Sequence, residues 1–459
     1  MPTSLSSTTQ PNLIWIMPDQ HRLHALGAMG DPNLHTPNID RLASGGFVST
    51  AAVGGCPLCC PYRGSLLTGR YPHHAVPGHE YPVPEGMPTV AAPFNDAGYD
   101  TAWFGKWHID GGRELQRRGA FHTVPRHRRG GFKTWIGYEI NGAWWDSWVH
   151  GHTAAGDEVG HYRLPGYETD DLTDLLLDYL RRPDRKSRPF FASVAVSPPH
   201  NPYEAPEEWM RRHTPGDVQL RRNVPDVPRI VERARCDLAG YYAMVENLDW
   251  NVGRIRAALD AAGLADNTHI IFFSDHGDML GSHGQFHKTS PWEEAIRVPF
   301  IIGGGAAYVP GKGTEFQGDR LTRVQRQPVP VNHVDVGPTS LGLCGIPVPE
   351  WMAGTDYSGY RRWTNPVVNE PDSAFLQMVV APGHPDSVDR PWRGVVTRDG
   401  WKYACLEGQP WLMFNLNEDP YEFVNLAHNT VFRAERRRLH DRLAAWIHDT
   451  GDQFRLPEL

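Results

Sequence analysis

The run Cys59-Cys60-Pro61-Tyr62-Arg63-Gly64-Ser65-Leu66-Leu67-Thr68-Gly69-Arg70 sets a proline two residues after a thiol and a guanidinium four residues after it. At a helix start this spacing puts sulfur and guanidinium on one face, a turn apart, beside exposed backbone amides. Such a start favours negative charge, and an arginine fork can hold two oxygens of a tetrahedral oxyanion. Cys59 is thus a candidate nucleophile and Arg63 its anion-holding partner. Cys56 and Cys59 also form a Cys-x-x-Cys pair, so a redox couple, half a zinc site or an inert buried thiol are competing readings.

Other residues could share that chemistry. Asp19 ends an apolar run at 12–17, and Ser274-Asp275-His276-Gly277-Asp278 follows another at 269–273. Carboxylates with one imidazole suit a hard divalent ion, Ca²⁺ first with Mg²⁺ or Mn²⁺ as alternatives; the plainer reading makes Asp275 a turn cap. Lys106 and His108 in Gly105-Lys106-Trp107-His108 lie two apart, on one face of an extended segment. Prolines on both sides stiffen the loop presenting His200 in Ser197-Pro198-Pro199-His200-Asn201-Pro202. Lys288, in Gly284-Gln285-Phe286-His287-Lys288, is an idle surface lysine unless an anion sits beside it, where it becomes a clamp or proton donor.

These residues need a frame. Apolar runs at 12–17, 101–104, 190–196, 269–273 and 298–302 are mostly continuous, as in strands covered on both faces. Helical patterns at 37–43, 62–68, 89–97, 170–181 and 230–262 lie between them. Alternation of this kind predicts an α/β domain with a mostly parallel sheet flanked by helices, whose sites gather at the carboxyl ends of strands. The texture changes near Ser373. A hairpin turning at Asp399-Gly400, a turn at 415–420 and an amphipathic helix at 433–447 predict a small antiparallel sheet plus helix. The expected division is a catalytic domain over 1–372 and a small α+β domain over 373–459.

Composition excludes some functions. A formal net charge of −8 over 459 residues offers no basic stripe for nucleic acid. The clusters Arg126-His127-Arg128-Arg129 and Arg436-Arg437-Arg438 read as solvated faces. No run of about 18 apolar residues predicts a membrane span. Six cysteines, three of them in one loop, make no disulfide framework. With the polar Met1–Gln10 lead, this makes a reducing, cytoplasmic location the expectation.

In chain order, these motifs resemble the type I sulfatases of the alkaline phosphatase superfamily. The match comprises Asp19-Gln20, His35-Thr36-Pro37-Asn38-Ile39-Asp40-Arg41-Leu42-Ala43, the Cys59–Arg70 run, Gly105-Lys106-Trp107-His108, Pro199-His200 and Ser274-Asp275-His276-Gly277-Asp278. Phe414-Asn415-Leu416, Asp419-Pro420, Glu422 and Asn425-Leu426 look like the family's closing domain. The resemblance implies an alkaline-phosphatase-like fold and sulfate monoester hydrolysis. It also implies a formylglycine made from Cys59 by a formylglycine-generating enzyme, whose hydrated aldehyde supplies the nucleophilic hydroxyl. One divalent ion would bind Asp19, Cys59, Asp275 and His276. Arg63 and Lys106 would neutralise substrate oxygens, His108 would orient the hydroxyls, and His200 and Lys288 would protonate the leaving group.

Three positions depart from the family. Gln20 stands where many sulfatases carry a second aspartate, as in phosphonate monoester hydrolases and choline sulfatases, and makes Gln20 a candidate substrate contact. Tyr62 replaces a small residue of the signature, where bulk bears on recognition by the modifying enzyme. Ile109-Asp110 follows His108 where Leu-Gly is common. The expected partner is a small-molecule or saccharide sulfate ester, and self-association fits a large polar enzyme with a separate small domain. The alternatives are phosphonate monoester or phosphodiester hydrolysis at the same site, and an unmodified anion- or glycan-binding protein. For the latter, the aromatic stretch from Trp135 to Trp148 is either a sugar platform or core.

Overall fold

A computed structural model describes residues 10–112, 119–305, 325–362, 367–383 and 388–459. Most of the Met1–Gln10 lead lies outside the described residues. The main sheet contains β1 (Asn12–Pro18), β2 (Phe47–Ser49), β3 (Asp100–Lys106), β4 (Thr134–Tyr138), β5 (Trp148–His152), β6 (Glu158–Arg163), β7 (Phe190–Val196), β8 (Thr268–Phe273), β9 (Phe300–Gly304) and β10 (Gln325–Gln327). Their order is β10-β2-β9-β8-β1-β7-β3-β4-β5-β6. The five central strands, β8-β1-β7-β3-β4, are mutually parallel. The pairings are antiparallel at β8–β9 and β9–β2 on one side and at β4–β5 and β5–β6 on the other, while the edge strand β10 runs parallel to β2.

The continuous apolar strands arise because each face has its own core. Leu13, Trp15 and Met17 join one cluster with Leu66 and Phe94, while Ile14 and Ile16 join another with Leu42, Leu176 and Val252. The second face is covered by the helices Pro37–Ser44, Glu168–Leu180 and Pro228–Ala262, the first by Cys59–Thr68, Ala91–Asp96 and Val336–Leu343. Proline sits in the first turn of the Pro37 and Pro228 helices, where its missing N–H costs nothing.

A second sheet follows, an antiparallel meander of β11 (Ser373–Met378), β12 (Trp392–Thr397), β13 (Trp401–Leu406) and β14 (Gln409–Asn415). The β12–β13 hairpin turns at Asp399-Gly400, with Gly400 in the left-handed region at φ 87. One face packs on the Arg433–Asp449 helix through Phe375, Tyr403, Met413, Leu439 and Leu443. The other shares a core with Val53, Cys56, Leu58 and Ile296 of the larger part. No helix of the described residues is long and apolar enough to cross a membrane.

Arg129 departs from a solvated face. It is buried, bonds His152 and Glu158, and stacks on Trp135 with its guanidinium carbon 5.3 Å from the ring centroid. Trp135 and Trp144 are likewise core residues, whereas Trp145 is exposed.

Candidate active site

Four parallel strands end together. Beyond their carboxyl ends lie Asp19 after β1, Lys106 at the tip of β3, His200 in the loop after β7, and Asp275-His276 after β8. The Cys59–Thr68 helix points its first residue into this group, and all ten of its residues are buried. The chain ahead of Cys59 can lie against the β8 end because Gly54 has no side chain; a Cβ there would collide with the Asp275 backbone oxygen.

Cys59 Sγ lies 3.2 Å from His276 Nε2, 3.7 Å from Asp19 Oδ1 and 3.1 Å from Lys288 Nζ. Ligand atoms of Asp19, Cys59, Asp275 and His276 all fall within 4.8 Å of one another, and all four residues are buried. The His276 ring nitrogen Nδ1 donates to the Gly277 carbonyl at 3.0 Å, which leaves Nε2 with a lone pair directed at the cluster. Arg63 bonds Asp19 at 3.2 Å, Asp275 at 3.3 Å and the Lys106 carbonyl at 2.9 Å, and Lys106 Nζ bonds Asp19 at 2.7 Å. Lys288 also donates to His200 Nε2 at 3.0 Å, and His200 Nδ1 donates to the Asn201 carbonyl at 2.7 Å.

The electrostatics follow from this crowding. Burial would raise the Asp19 carboxyl, but Lys106, then His200, Lys288 and Arg63, hold it well below its ordinary range. Burial and Asp19 push the Cys59 thiol up, Lys106, Lys288 and His276 pull it down, and the net shift is downward. Burial disfavours the His276 cation, yet Asp275 and Cys59 leave that imidazole above its usual value. The negative groups that raise this imidazole also suit the cluster to a cation. His200 is pushed well below its ordinary value by burial and by Lys288. Lys288 is raised by Cys59 and Asp19 despite burial. The pair therefore keeps its proton on lysine.

Gln20 is held at both ends, its backbone N–H donating to Asp275 at 2.9 Å and its Nε2 to Asp278 at 2.5 Å. Its buried Oε1 has no hydrogen-bond partner among the described residues. His108 does not continue the extended chain. It turns into the left-handed region at φ 61, its ring 5.4 Å from that of His79, and burial and Lys106 push it well below its ordinary value. Every residue proposed from the sequence therefore lies in or beside one buried cluster. Cys56 belongs elsewhere, in the apolar cluster with Leu58 and Trp392, where burial pushes its thiol up to about 12. All six cysteines are free. Tyr62 packs in the core with its ring 5.1 Å from that of His333.

Sequence reasoning missed several supports. Asp278 accepts from Gln20, Tyr203, Leu280 and His287, and so locks the loop leading to Lys288. Trp392 Nε1 donates to the Thr289 carbonyl at 3.0 Å, and Lys402 Nζ to the Pro291 carbonyl at 2.7 Å. The second sheet therefore braces the Lys288 loop from behind. The Asp-Gly hairpin signalled that sheet, but nothing local signalled where it docks.

Comparison with known proteins agrees with this geometry. The family model described as Sulfatase matches residues 11–346. An ulvan-active sulfatase of Formosa agariphila is 32% identical over 466 residues, covering 97% of this chain and 83% of its own. A structure from Bacteroides fragilis, solved as a candidate YidJ sulfatase, superposes with a TM-score of 0.84 at 25% identity, covering 98% of each chain. The phosphonate monoester hydrolase of Agrobacterium radiobacter, at 22% identity and a TM-score of 0.74 over 96% of each chain, shares the fold.

Proposed function

The chain belongs to the sulfatase family, and from that premise we propose that it hydrolyses sulfate monoesters with a formylglycine derived from Cys59 and one divalent cation, releasing sulfate and an alcohol or phenol. The substrate class is a small-molecule or saccharide sulfate. The observation that carries the reading is the junction of Cys59 with Asp19, Asp275 and His276 on one side and Lys288 on the other.

Asp19, Asp275 and His276, with the residue-59 side chain, would hold the cation. Their donors are mostly carboxylate oxygens, which favours Ca²⁺, with Mg²⁺ or Mn²⁺ as alternatives. The orphaned Oε1 of Gln20 fits the same ion as a neutral oxygen. Its amide nitrogen gives one N–H to Asp278 and keeps a second, so Gln20 has both a donor and an acceptor to offer. Gln20 is thus a candidate ligand of the cation as well as a candidate substrate contact. When bound, the cation supplies charge that acidifies a hydroxyl and polarises a substrate oxygen. The aldehyde supplies the hydroxyl that a thiol lacks.

The remaining work falls to the chain's own groups. Arg63 and Lys106 set two fixed positive charges at the pocket floor, where sulfate oxygens gather negative charge. Their ties to Asp19 orient them before substrate arrives. Lys288 holds the proton for the leaving oxygen, and neutral His200 accepts from the lysine ammonium and steadies it. His108, beside Lys106, orients the hydroxyl pair on residue 59.

Mass spectrometry of the Cys59 peptide, after co-expression with a formylglycine-generating enzyme, tests the premise; unmodified cysteine would leave an anion-binding protein. A second reading, phosphonate monoester or phosphodiester hydrolysis, draws on Gln20, whose neutral amide lowers the negative charge of the cluster. Steady-state kinetics with an aryl sulfate and an aryl phosphonate separate the two, and a phosphonate preference of several decades would replace the sulfatase reading. We also propose that 1–372 and 373–459 are distinct units, with the second required to brace the Lys288 loop.

A further inference from the structure

Cys60 follows Cys59 in the same helix and is turned about 100° from it. It therefore leaves the carboxylate cluster and meets different neighbours. Cys60 Sγ lies 3.6 Å from His79 Nδ1, and ligand atoms of Cys60, His79 and His108 all fall within 4.8 Å of one another. Cys60 and His108 are buried, while His79 is half-buried and opens the group toward solvent. Bonds of about 2.3 Å to sulfur and about 2.05 Å to nitrogen, meeting at the tetrahedral angle, put S and N about 3.6 Å apart. The thiol and the first imidazole already stand at that separation.

The donors also differ in kind from those around Cys59. One sulfur and two imidazole nitrogens select a borderline ion such as Zn²⁺, whereas carboxylate oxygens select a hard one. The nearby Lys106 ammonium would repel a cation, but its charge is met by Asp19 at 2.7 Å.

We propose that Cys60, His79 and His108 form a second metal site, which takes Zn²⁺ or a similar borderline divalent ion and inhibits the enzyme when filled. Binding forms one S–metal and two N–metal bonds, releases the Cys60 thiol proton to solvent, and leaves the fourth position to water. Inhibition follows because a nitrogen of His108 committed to the ion no longer orients the hydroxyls on residue 59. That consequence rests on the role given to His108 above, whereas the binding does not.

The test uses the full chain carrying Cys59→Ser, so that residue 59 contributes no sulfur, with saturating Ca²⁺ to fill the oxygen site. Titration with Co²⁺ should give one equivalent with a sulfur-to-cobalt charge-transfer band in the near ultraviolet, displaced by Zn²⁺. Adding Cys60→Ser should abolish the band, and adding His79→Ala, at a half-buried position, should weaken binding at least about tenfold. The absence of a sulfur band, or a band unchanged in both variants, would overturn the site and leave a thiol–imidazole hydrogen bond. In the formylglycine-bearing enzyme, micromolar Zn²⁺ should inhibit, a chelator followed by Ca²⁺ should restore turnover, and His79→Ala should raise the inhibitory concentration by the same factor. Cobalt binding that obeys both variants without zinc inhibition would overturn the assigned role of His108 and the inhibition together, while the site would stand.

Discussion

Replacing Lys288 by alanine removes an ammonium that lies 3.1 Å from Cys59 and 3.0 Å from His200. If that ammonium protonates the leaving oxygen, the penalty depends on how much the leaving group needs a proton. A positioned general acid contributes roughly 10²- to 10⁴-fold, or about 2.7 to 5.4 kcal/mol of barrier. An alkyl sulfate, which must expel a strongly basic alkoxide, should lose that full amount in kcat/KM. A nitrophenyl sulfate, whose phenolate leaves unaided, should lose only the electrostatic share, on the order of tenfold. The assay is steady-state kcat/KM for both esters with wild type and Lys288→Ala, after formylglycine content has been matched by mass spectrometry. The ratio between the two substrates should change by at least about tenfold. Equal losses on both esters would refute the proton-donor role and reduce Lys288 to a fixed charge.

Other outcomes follow from the same geometry. Arg63→Met should abolish turnover and cost about 3–5 kcal/mol in denaturant unfolding, because Asp19 and Asp275 lose a fully buried partner; Lys402→Met should cost less, because Glu293 keeps Arg297 at 2.7 Å while Glu422 loses its ammonium. Chelating the divalent ion should lower the unfolding midpoint as well as activity, since an ion present at a hundred times its Kd adds about 2.7 kcal/mol of stability, and a differential scanning measurement with Ca²⁺ added back checks it. Burial alone pushes His333 down to about 3. Folding therefore holds this group neutral, so its contribution is intact above pH 6.5 and is lost as pH falls toward 3, at about 1.4 kcal/mol per pH unit. His333→Gln should flatten that part of the stability profile, and an unchanged slope in urea melts between pH 6.5 and 4.5 would refute the assignment.

How much of this could be read from the chain depended on how local each signal was. The strands at 12–17, 190–196 and 269–273 were legible because a strand buried on both faces has to be apolar throughout, and β1 indeed divides its side chains between two cores. Strand direction was not legible, because burial is the same whichever way the backbone runs; the antiparallel pairing of β8 with β9 left no mark in the apolar pattern. β4, β5 and β6 were hidden in a stretch whose tryptophans suited a sugar platform as well as a core, and β6 has no buried residue to signal it. At the site, the motifs were legible because each ends a strand or fills a short loop. His79 was not, since it meets Cys60 and His108 only through the fold, and neither was the Asp278 hub, whose partners come from three separate loops. Tyr62 reads differently once its ring is seen in the core, where its bulk is part of the packing.

The depth of Cys59 also sets a schedule. At 2% exposure, inside a helix with no exposed residue, this side chain is beyond the reach of any other protein once the fold has closed. An enzyme that rewrites it would have to act before the fold closes, during synthesis or soon after. His276, one of the last residues to close over the sulfur, lies 217 positions downstream, which at ordinary synthesis rates is roughly ten to forty seconds of translation. Maturation would then be a race between modification and elongation, and copies that fold first would stay permanently as thiols. The fraction of active molecules would therefore depend on how fast the message is read.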